Sequence, residues 1–154
     1  MPEKGITQIL EQAIRFEKDA HAFYTAAVEM VKQPHIKQAL CDLAAEEAKH
    51  KEKLQNLLAG GKLDQALSIQ QPEIEDLGLA EYLVLRPLDE GATFQDVLVV
   101  AMHREKSSHE FYNTMAQIAQ DQGTRDLFAF LAHEELLHKN KVESIYDEVV
   151  YQEF

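Results

Sequence analysis

The sequence is short of cysteine, of basic residues and of long apolar runs. Its single cysteine, Cys41, excludes an internal disulfide and a four-cysteine metal site. We expect Cys41 to be a small buried apolar side chain. Only 15 lysines and arginines oppose 27 acidic residues, and the formal net charge of −12 argues against nucleic acid or an anionic membrane as a partner.

Apolar runs are too short for a membrane protein. No uninterrupted stretch approaches the roughly 18 residues that a membrane-spanning helix needs. Residues 1–10 also have no apolar segment typical of a secretory signal. We therefore expect a protein of the reducing cytoplasm that has no membrane partner.

The sequence does contain four stretches with apolar residues at helical spacing. They predict helices over about residues 6–32, 35–58, 93–120 and 124 to near the C-terminus. Thr93, with Asp96 three residues later, and Thr124 are the predicted N-caps, and Gly60-Gly61 ends the second helix. Residues 60–92 form a crossover in which 77–85 has the pattern of a short helix. We expect a single all-α domain over residues 1–154, folded as a four-helix bundle of two antiparallel hairpins.

The two halves of the chain repeat each other. Residues Glu47 and Glu135 are 88 positions apart, and every other repeated residue has the same offset. The repeated pairs are Glu17 and Glu105, His21 and His109, Phe23 and Phe111, Tyr24 and Tyr112, Glu46 and Glu134, Glu47 and Glu135, and His50 and His138. The chain is therefore two copies of one helical hairpin.

The repeated glutamates are placed symmetrically about the hairpin turns. Glu17 and Glu47 are equidistant from residue 32, and Glu105 and Glu135 are equidistant from residue 120. In an antiparallel hairpin, residues at equal distances from the turn lie at the same height, here about 22 Å from each turn at ~1.5 Å per residue. All four carboxylates are therefore expected at one level of the core.

This convergence predicts a site for two metal ions. An unpaired buried carboxylate costs several kcal/mol or takes up a proton, and no lysine or arginine lies on the buried stripes at this level. Two divalent cations would neutralise four carboxylates, and the Glu-x-x-His spacing puts both side chains on one helix face. The ligands fit iron or manganese, and zinc would also bind. The predicted ligands are Glu17, Glu47, His50, Glu105, Glu135 and His138.

Other repeated residues surround the predicted ligands. Tyr24 and Tyr112 lie two turns past Glu17 and Glu105, where their hydroxyls could orient a bridging carboxylate or donate one electron. The alternative is a core tyrosine bonded elsewhere. Glu46 and Glu134 lie about 100° around the helix from the ligands and are expected on solvated faces. His21 and His109 are expected at boundary positions, with contact to the ligands or a route to the surface as the alternatives.

The motifs together resemble a known family. Glu17-x6-Tyr24, Glu47-x-x-His50, Glu105-x6-Tyr112 and Glu135-x-x-His138 are similar to motifs of the rubrerythrin family of the ferritin-like superfamily, over nearly the whole chain outside residues 60–92. The short mirrored hairpins and the Phe-Tyr repeat fit this family better than the bacterioferritins. The resemblance implies a ferritin-like bundle and a di-iron centre held by the same six residues.

Two departures from the family pattern bear on function. Full rubrerythrins carry a rubredoxin-like domain with two Cys-x-x-Cys pairs, which this sequence lacks, so we expect an external electron donor such as a rubredoxin. Peroxidase-type members also have an additional glutamate on helix three. No clear counterpart is present here, because Ser108 lies one turn after Glu105 and Glu110 points away from the stripe.

The resemblance implies a non-haem di-iron oxidoreductase of peroxidase or ferroxidase type that acts in oxidative stress. Two iron ions, cycling between Fe²⁺ and Fe³⁺, would be bridged by Glu47 and Glu135, with Glu17 and Glu105 as terminal ligands, and would react with peroxide or dioxygen. One alternative is a ferritin-type ferroxidase that stores or delivers iron. Another is a non-catalytic metal-binding scaffold. We expect a homodimer, since the long crossover would permit exchange of hairpins.

Overall fold

The computed structural model describes residues 5–61, 67, 77–83, 88 and 90–152. These residues form four long α-helices and contain no β-strand: α1 (Ile6–Val28), α2 (Pro34–Ala59), α3 (Phe94–Ile118) and α4 (Gln122–Gln152). A 3₁₀ helix at Leu79–Leu83 accounts for part of the short helix predicted over 77–85, and residues 84 and 85 lie outside the described residues. The predicted all-α four-helix bundle is confirmed.

The helix ends follow local capping chemistry. α1 ends at Val28, before the predicted residue 32, and α2 begins with Pro34, which suits a first helical turn because it has no N–H to leave unpaired. At α3 the predicted capping box is present. The Thr93 hydroxyl accepts the Asp96 N–H at 3.1 Å, and the Asp96 carboxylate accepts the Thr93 N–H at 2.9 Å.

The predicted N-cap of α4 is wrong. The helix begins at Gln122, so Thr124 lies in its first turn and is not the cap. The Asp121 carboxylate accepts the Thr124 N–H at 2.9 Å and the Thr124 hydroxyl at 2.8 Å. The backbone hydrogen bond from Thr124 also lowers the pKa of Asp121. An ionised carboxylate caps well and interacts favourably with the positive end of the helix dipole.

The second prediction to fail concerns Cys41, which is exposed rather than buried. Its neighbours Leu40, Leu43 and Ala44 carry the buried stripe of α2, and position 41 lies beside that stripe. The predicted stop of α2 is confirmed, because Gly60 caps the helix and Gly61 adopts a φ of 70°, in the left-handed region that favours glycine.

The bundle consists of two hairpins, with α1 packed along α2 and α3 packed along α4. Its core has two apolar clusters, one at each end of the bundle. The first joins the beginnings of α1 and α4 to the ends of α2 and α3, and it also takes in Leu67 and the 3₁₀ helix. The second joins the opposite ends of the same four helices. It follows that α2 and α3 run parallel, as the prediction of two antiparallel hairpins joined by a crossover requires.

A polar layer separates the two apolar clusters. Buried residues such as Leu10, Leu54 and Phe128 close it on one side, and Leu40, Leu98 and Val142 close it on the other. All six of these side chains are fully shielded from solvent. The acidic and histidine side chains of this layer therefore lie in the centre of the bundle, almost fully shielded from bulk water.

Loss of either helix cap should destabilise the fold measurably. Thr93→Ala and Asp121→Ala are each expected to lower the free energy of unfolding of the metal-free chain by about 1 kcal/mol, because a helix-terminal N–H loses its acceptor. Urea unfolding followed by circular dichroism measures the change. Thr25→Ala is the matched control, since the exposed Thr25 hydroxyl bonds only to the His21 carbonyl of its own helix. Equal stability of all three variants would contradict the assignment of the caps.

Candidate metal centre

All four helices contribute to the polar layer at the centre of the bundle. α1 and α3 each supply one glutamate, and α2 and α4 each supply a glutamate and a histidine three residues later. None of these six residues is more than 3% exposed to solvent. The structure therefore brings together the six predicted ligands: Glu17, Glu47, His50, Glu105, Glu135 and His138.

The six residues form two overlapping groups of four. The first group adds Glu17 and His50 to Glu47 and Glu135, and the second adds Glu105 and His138 to the same two glutamates. Within each group, one potential ligand atom per residue lies within 4.8 Å of all the others. Glu47 and Glu135 are thus shared, as the sequence predicts for bridging carboxylates.

Two short contacts at the centre cross from one hairpin to the other. Nδ1 of His50 lies 2.7 Å from Oε1 of Glu135, and Nδ1 of His138 lies 2.6 Å from Oε1 of Glu47. The two imidazole rings are stacked, with centroids 5.4 Å apart and planes 10° from parallel. Both histidines therefore point Nδ1 at the shared carboxylates.

Several buried atoms at the centre have no hydrogen-bond partner among the described residues: Oε2 of Glu17, Nδ1 of His50, Oε2 of Glu105 and Oε1 of Glu135. The His50–Glu135 contact is short, but its atoms are not aligned for a hydrogen bond. Buried polar atoms without partners are costly. All four are oxygen or nitrogen atoms that can bind metal, and they point into one small volume. Metal ions bound there would give each of them a partner. The donor set and its charge therefore fit two divalent cations.

Without metal, protons must neutralise these carboxylates. Burial is the main cause that raises the pKa of Glu17 to about 7, and the charge of Glu135 adds to it. Burial likewise raises the pKa of Glu47 and Glu105 well above the ordinary value, with the neighbouring carboxylates contributing. The fold by itself therefore disfavours ionisation of three of the four glutamates.

The histidines act in the opposite electrostatic sense. Burial lowers the pKa of His138, but Glu105, Glu135 and Glu46 outweigh it and raise the value to about 10. The pKa of His50 is also raised, because Glu135 and Glu17 outweigh burial. For Glu135 burial is again the largest influence, but the adjacent His50 and Glu105 bring its pKa down to about 2. Protons shared among these groups occupy the place that cations would take.

Both predicted tyrosines contact carboxylates of the centre across the bundle. The Tyr24 hydroxyl donates to Oε1 of Glu105 at 2.6 Å, and the Tyr112 hydroxyl donates to Oε1 of Glu17 at 2.5 Å. Burial is the main cause that raises the pKa of both phenols, so they remain donors. Each tyrosine thus leaves Oε2 of its glutamate directed into the centre. A role in electron transfer stays a prediction.

Glu46 is a residue whose role the sequence pattern missed. It was expected on a solvated face, but its Oε2 lies 2.6 Å from Nε2 of His138, although the side chain is 43% exposed. With Nδ1 directed at the carboxylates, Nε2 donates to Glu46, the arrangement usual for metal-ligating histidines. The available signal was the repeat of Glu46 at Glu134. Within the described residues, Glu134 makes no such bond to His50.

The repeated histidines outside the centre link the two helices of each hairpin. Nδ1 of His21 lies 2.8 Å from the Ala44 carbonyl oxygen, and Nδ1 of His109 lies 2.6 Å from the Ala132 carbonyl oxygen. Each carbonyl belongs to the residue three positions before a shared glutamate. The two histidines thus fix the height of α1 against α2 and of α3 against α4.

Comparison with known proteins agrees with this geometry. A family model described as rubrerythrin matches residues 8–148. This chain belongs to the rubrerythrin family. No curated protein sequence matches it. No helix in the described part of this rubrerythrin-family chain has an apolar stretch long enough to cross a bilayer.

Two solved structures share the fold of this family member. A hypothetical protein from Pyrococcus furiosus is 22% identical with a TM-score of 0.72, and the match covers 96% of this chain and 92% of that one. A Thermotoga maritima protein, described as a candidate ferritin-like diiron-carboxylate protein, is 20% identical with a TM-score of 0.73, over 97% of this chain and 99% of that one. The ferritin-like fold expected from the resemblance is confirmed.

The pKa shifts predict how stability depends on pH. The pKa of Glu17 rises from 4.5 to about 7 on folding, so its stabilising contribution is complete below pH 4.5 and is lost as the pH rises through 7. Glu47 and Glu105 act in the same direction, whereas the contribution of Glu135 is lost only as the pH falls toward 2. We expect the Tm of the metal-free protein to fall between pH 5 and 7.5.

Bound metal should reverse this trend, because ions displace the protons. The increase in Tm caused by Co²⁺ is expected to be larger at pH 7.5 than at pH 5.5, with affinity rising about tenfold per pH unit for each proton displaced. Differential scanning fluorimetry with and without Co²⁺ measures both effects. Glu52→Ala, an exposed change on α2, is the control that keeps the response. A metal-free Tm that increases over this range would contradict the burial argument.

The contact between Glu46 and His138 gives a separate prediction. Glu46→Ala should weaken Co²⁺ binding by about 10- to 100-fold, because His138 loses the acceptor that orients its ring. Glu134→Ala is the matched control at the repeated position and should have a smaller effect. Competition with a chromogenic chelator measures both affinities. Equal losses in the two variants would show that general surface charge, not the hydrogen bond, matters.

Proposed function

We propose that this chain is a di-iron carboxylate redox protein that reduces peroxide or dioxygen with electrons from an external donor. The observation that carries the proposal is the pair of four-residue groups that share Glu47 and Glu135. Two ions held by these shared carboxylates would be close enough to act on one small molecule. Imidazole and carboxylate donors suit iron, and manganese or zinc would also be accepted.

Each residue has a distinct part in holding the ions. Glu17 and His50 would hold one ion, Glu105 and His138 would hold the other, and both would contact the shared glutamates. When bound as ferrous ions, the pair supplies the two electrons that cleave an O–O bond. The protein must keep its ligands oriented as the charge at the centre changes. Tyr24 and Tyr112 do so for Glu105 and Glu17 through hydrogen bonds that bridge the hairpins.

The apolar clusters on either side of the centre restrict water. This exclusion strengthens the electrostatic interaction between the carboxylates and bound cations. It also limits the entry of reductants and other reactive molecules to defined routes. On one side of the centre, Tyr112 packs between two phenylalanines. The ring centroids of Phe111 and Phe128 lie 5.3 and 6.2 Å from that of Tyr112.

A surface pocket gives one such route. It has a volume of about 270 Å³ and reaches His50. Its lining combines acidic, basic and aromatic side chains: Glu46, Lys49, His50, Lys53, Phe130 and Glu134. A molecule as small as hydrogen peroxide or dioxygen fits this space. In the proposal, the substrate approaches the centre from this pocket.

The proposal includes features of the cellular setting. The electron donor is a separate protein such as a rubredoxin, the assembly is a homodimer, and the protein acts in the cytoplasm during oxidative stress. Size-exclusion chromatography with light scattering tests the assembly. A dimer supports the redox enzyme, whereas a large hollow shell favours the ferritin-type alternative.

Anaerobic loading with ferrous iron tests the proposed activity. The protein is expected to bind two Fe²⁺ per chain, and one hydrogen peroxide should oxidise both, with two protons taken up and two waters formed. Addition of a reductant should restore the ferrous state and permit further turnover. Mutation of a residue that only supports a metal ligand costs up to ~100-fold in metal affinity or activity. Glu47→Ala should lower both by more than this, because it removes a ligand that the two ions would share.

One control and two alternative outcomes make the result clear. Glu52→Ala, exposed on the same helix as Glu47, should behave as the unchanged protein. A reaction with dioxygen that is faster than with peroxide, accompanied by iron uptake beyond two per chain, would indicate ferroxidase and storage activity. Binding of two irons without oxidation by either oxidant would favour the non-catalytic scaffold and contradict the proposal.

A further inference from the structure

Ser108 lies at the metal centre without being one of its predicted ligands. It is fully buried on α3, one turn after Glu105. Its hydroxyl oxygen lies 2.5 Å from Oε2 of Glu135, and at 3.0 and 3.2 Å from the carbonyl oxygens of Arg104 and Glu105. A hydroxyl has one hydrogen to donate. The carboxylate is the closest acceptor and is charged, so it receives the hydrogen bond.

The hydrogen bond divides the two oxygens of Glu135 between different tasks. Oε2 accepts from Ser108, whereas Oε1 lies 2.7 Å from Nδ1 of His50 and 3.6 Å from Nδ1 of His138. Oε1 has no hydrogen-bond partner among the described residues. One oxygen of Glu135 therefore faces both halves of the centre while the other is held by the protein.

The internal repeat shows that this arrangement is not shared by the other bridging glutamate. The position equivalent to Ser108 is Ala20 on α1, which is also buried. A methyl group cannot donate a hydrogen bond, so Glu47 receives none from this position. The six ligands and both tyrosines match between the two halves, and the serine is a departure at a point that touches a ligand.

We propose that Ser108 is a positioning residue that holds the carboxylate of Glu135 in one orientation toward the metal centre, whereas the equivalent residue Ala20 leaves Glu47 without such a hold. The inference rests on the proposed function because it requires a two-metal centre. A carboxylate with Oε2 engaged cannot rotate without breaking a short, charge-assisted hydrogen bond. Ala20 offers Glu47 no such hydrogen bond, and the imidazole that contacts Glu47, His138, is itself a predicted metal ligand. Adjustment to a change in ion charge therefore falls on Glu47.

A packing role alone would not require the hydroxyl. Alanine occupies the equivalent position at Ala20 and is equally compatible with a buried helix face. If alanine replaced Ser108, Oε2 of Glu135 would lose its donor, and the carboxylate would be free to adopt another orientation toward the ions. The expected consequence is a changed coordination environment, rather than only a changed stability.

Cobalt(II) is a suitable probe, because its visible absorption reports on the ligand arrangement without any need for turnover. Ser108→Ala should bind two Co²⁺ per chain about tenfold more weakly than the unchanged protein, with a shifted visible spectrum. The swapped variant Ser108→Ala/Ala20→Ser moves the hydroxyl from Glu135 to Glu47. It should recover most of the lost affinity, since one bridge is again held.

The measurements separate this inference from the proposed function. If the unchanged protein binds fewer than two Co²⁺ per chain, the two-metal centre itself is contradicted. If it binds two and Ser108→Ala has the same affinity and spectrum, only the role of Ser108 is overturned. A loss of metal-free Tm with an unchanged Co²⁺ spectrum would indicate a purely structural serine. A swapped variant that binds no better than Ser108→Ala would also overturn the proposal.

Discussion

Four buried carboxylates cannot all be ionised in the middle of an apolar core unless positive charge accompanies them. In this chain the four lie between two apolar clusters that exclude bulk water. Burial raises the pKa of Glu17, Glu47 and Glu105, which shows that the fold alone stabilises the neutral forms. Replacing these glutamates by apolar residues would remove the free-energy cost of burying their carboxyl groups. Their presence at one level, with unsatisfied ligand atoms directed inward, is understandable if the bundle is built to hold cations.

The same constraint explains how the two hairpins are joined. Most short polar contacts at the centre link α1 and α2 to α3 and α4: the tyrosines bond the glutamates of the opposite hairpin, and each histidine contacts the opposite shared glutamate. The bond from Ser108 to Glu135 lies within the second hairpin. Within a hairpin, by contrast, His21 and His109 bond backbone carbonyls. The centre is thus both the candidate reactive site and the main polar contact between the two hairpins. Metal binding there would therefore be coupled to the packing of one hairpin against the other.

The sequence predicted what depends on period and distance. Helical spacing, the repeat and the equal distances from the turns suffice to place six side chains at one level, because an antiparallel hairpin has few geometric freedoms. Predictions that depended on a single side chain were less successful. Cys41 borders an apolar stripe and is exposed, and Thr124 gives way to Asp121, a residue three positions earlier that also caps well. Glu46 reaches His138 from a half-exposed position because its side chain is long and flexible.

The departures from the repeat fall on one half of the centre. In the Glu135-x-x-His138 motif, Ser108 holds the outer oxygen of the glutamate and Glu46 holds the outer nitrogen of the histidine. In the Glu47-x-x-His50 motif, the equivalent positions are Ala20, which has no donor, and Glu134, which makes no bond to His50 within the described part of the chain.

The surface pocket reaches His50, on the same less restrained half. If Ser108 fixes Glu135 as proposed, the ligands on α4 are held from outside the centre by Ser108 and Glu46, and those on α2 have no equivalent bonds within the described residues. A two-metal centre that must change charge while remaining assembled needs one rigid side to hold the ions and one side that can adapt. The repeated residues supply the ligands, and in the proposal Ser108, which departs from the repeat, determines which shared glutamate is held in place.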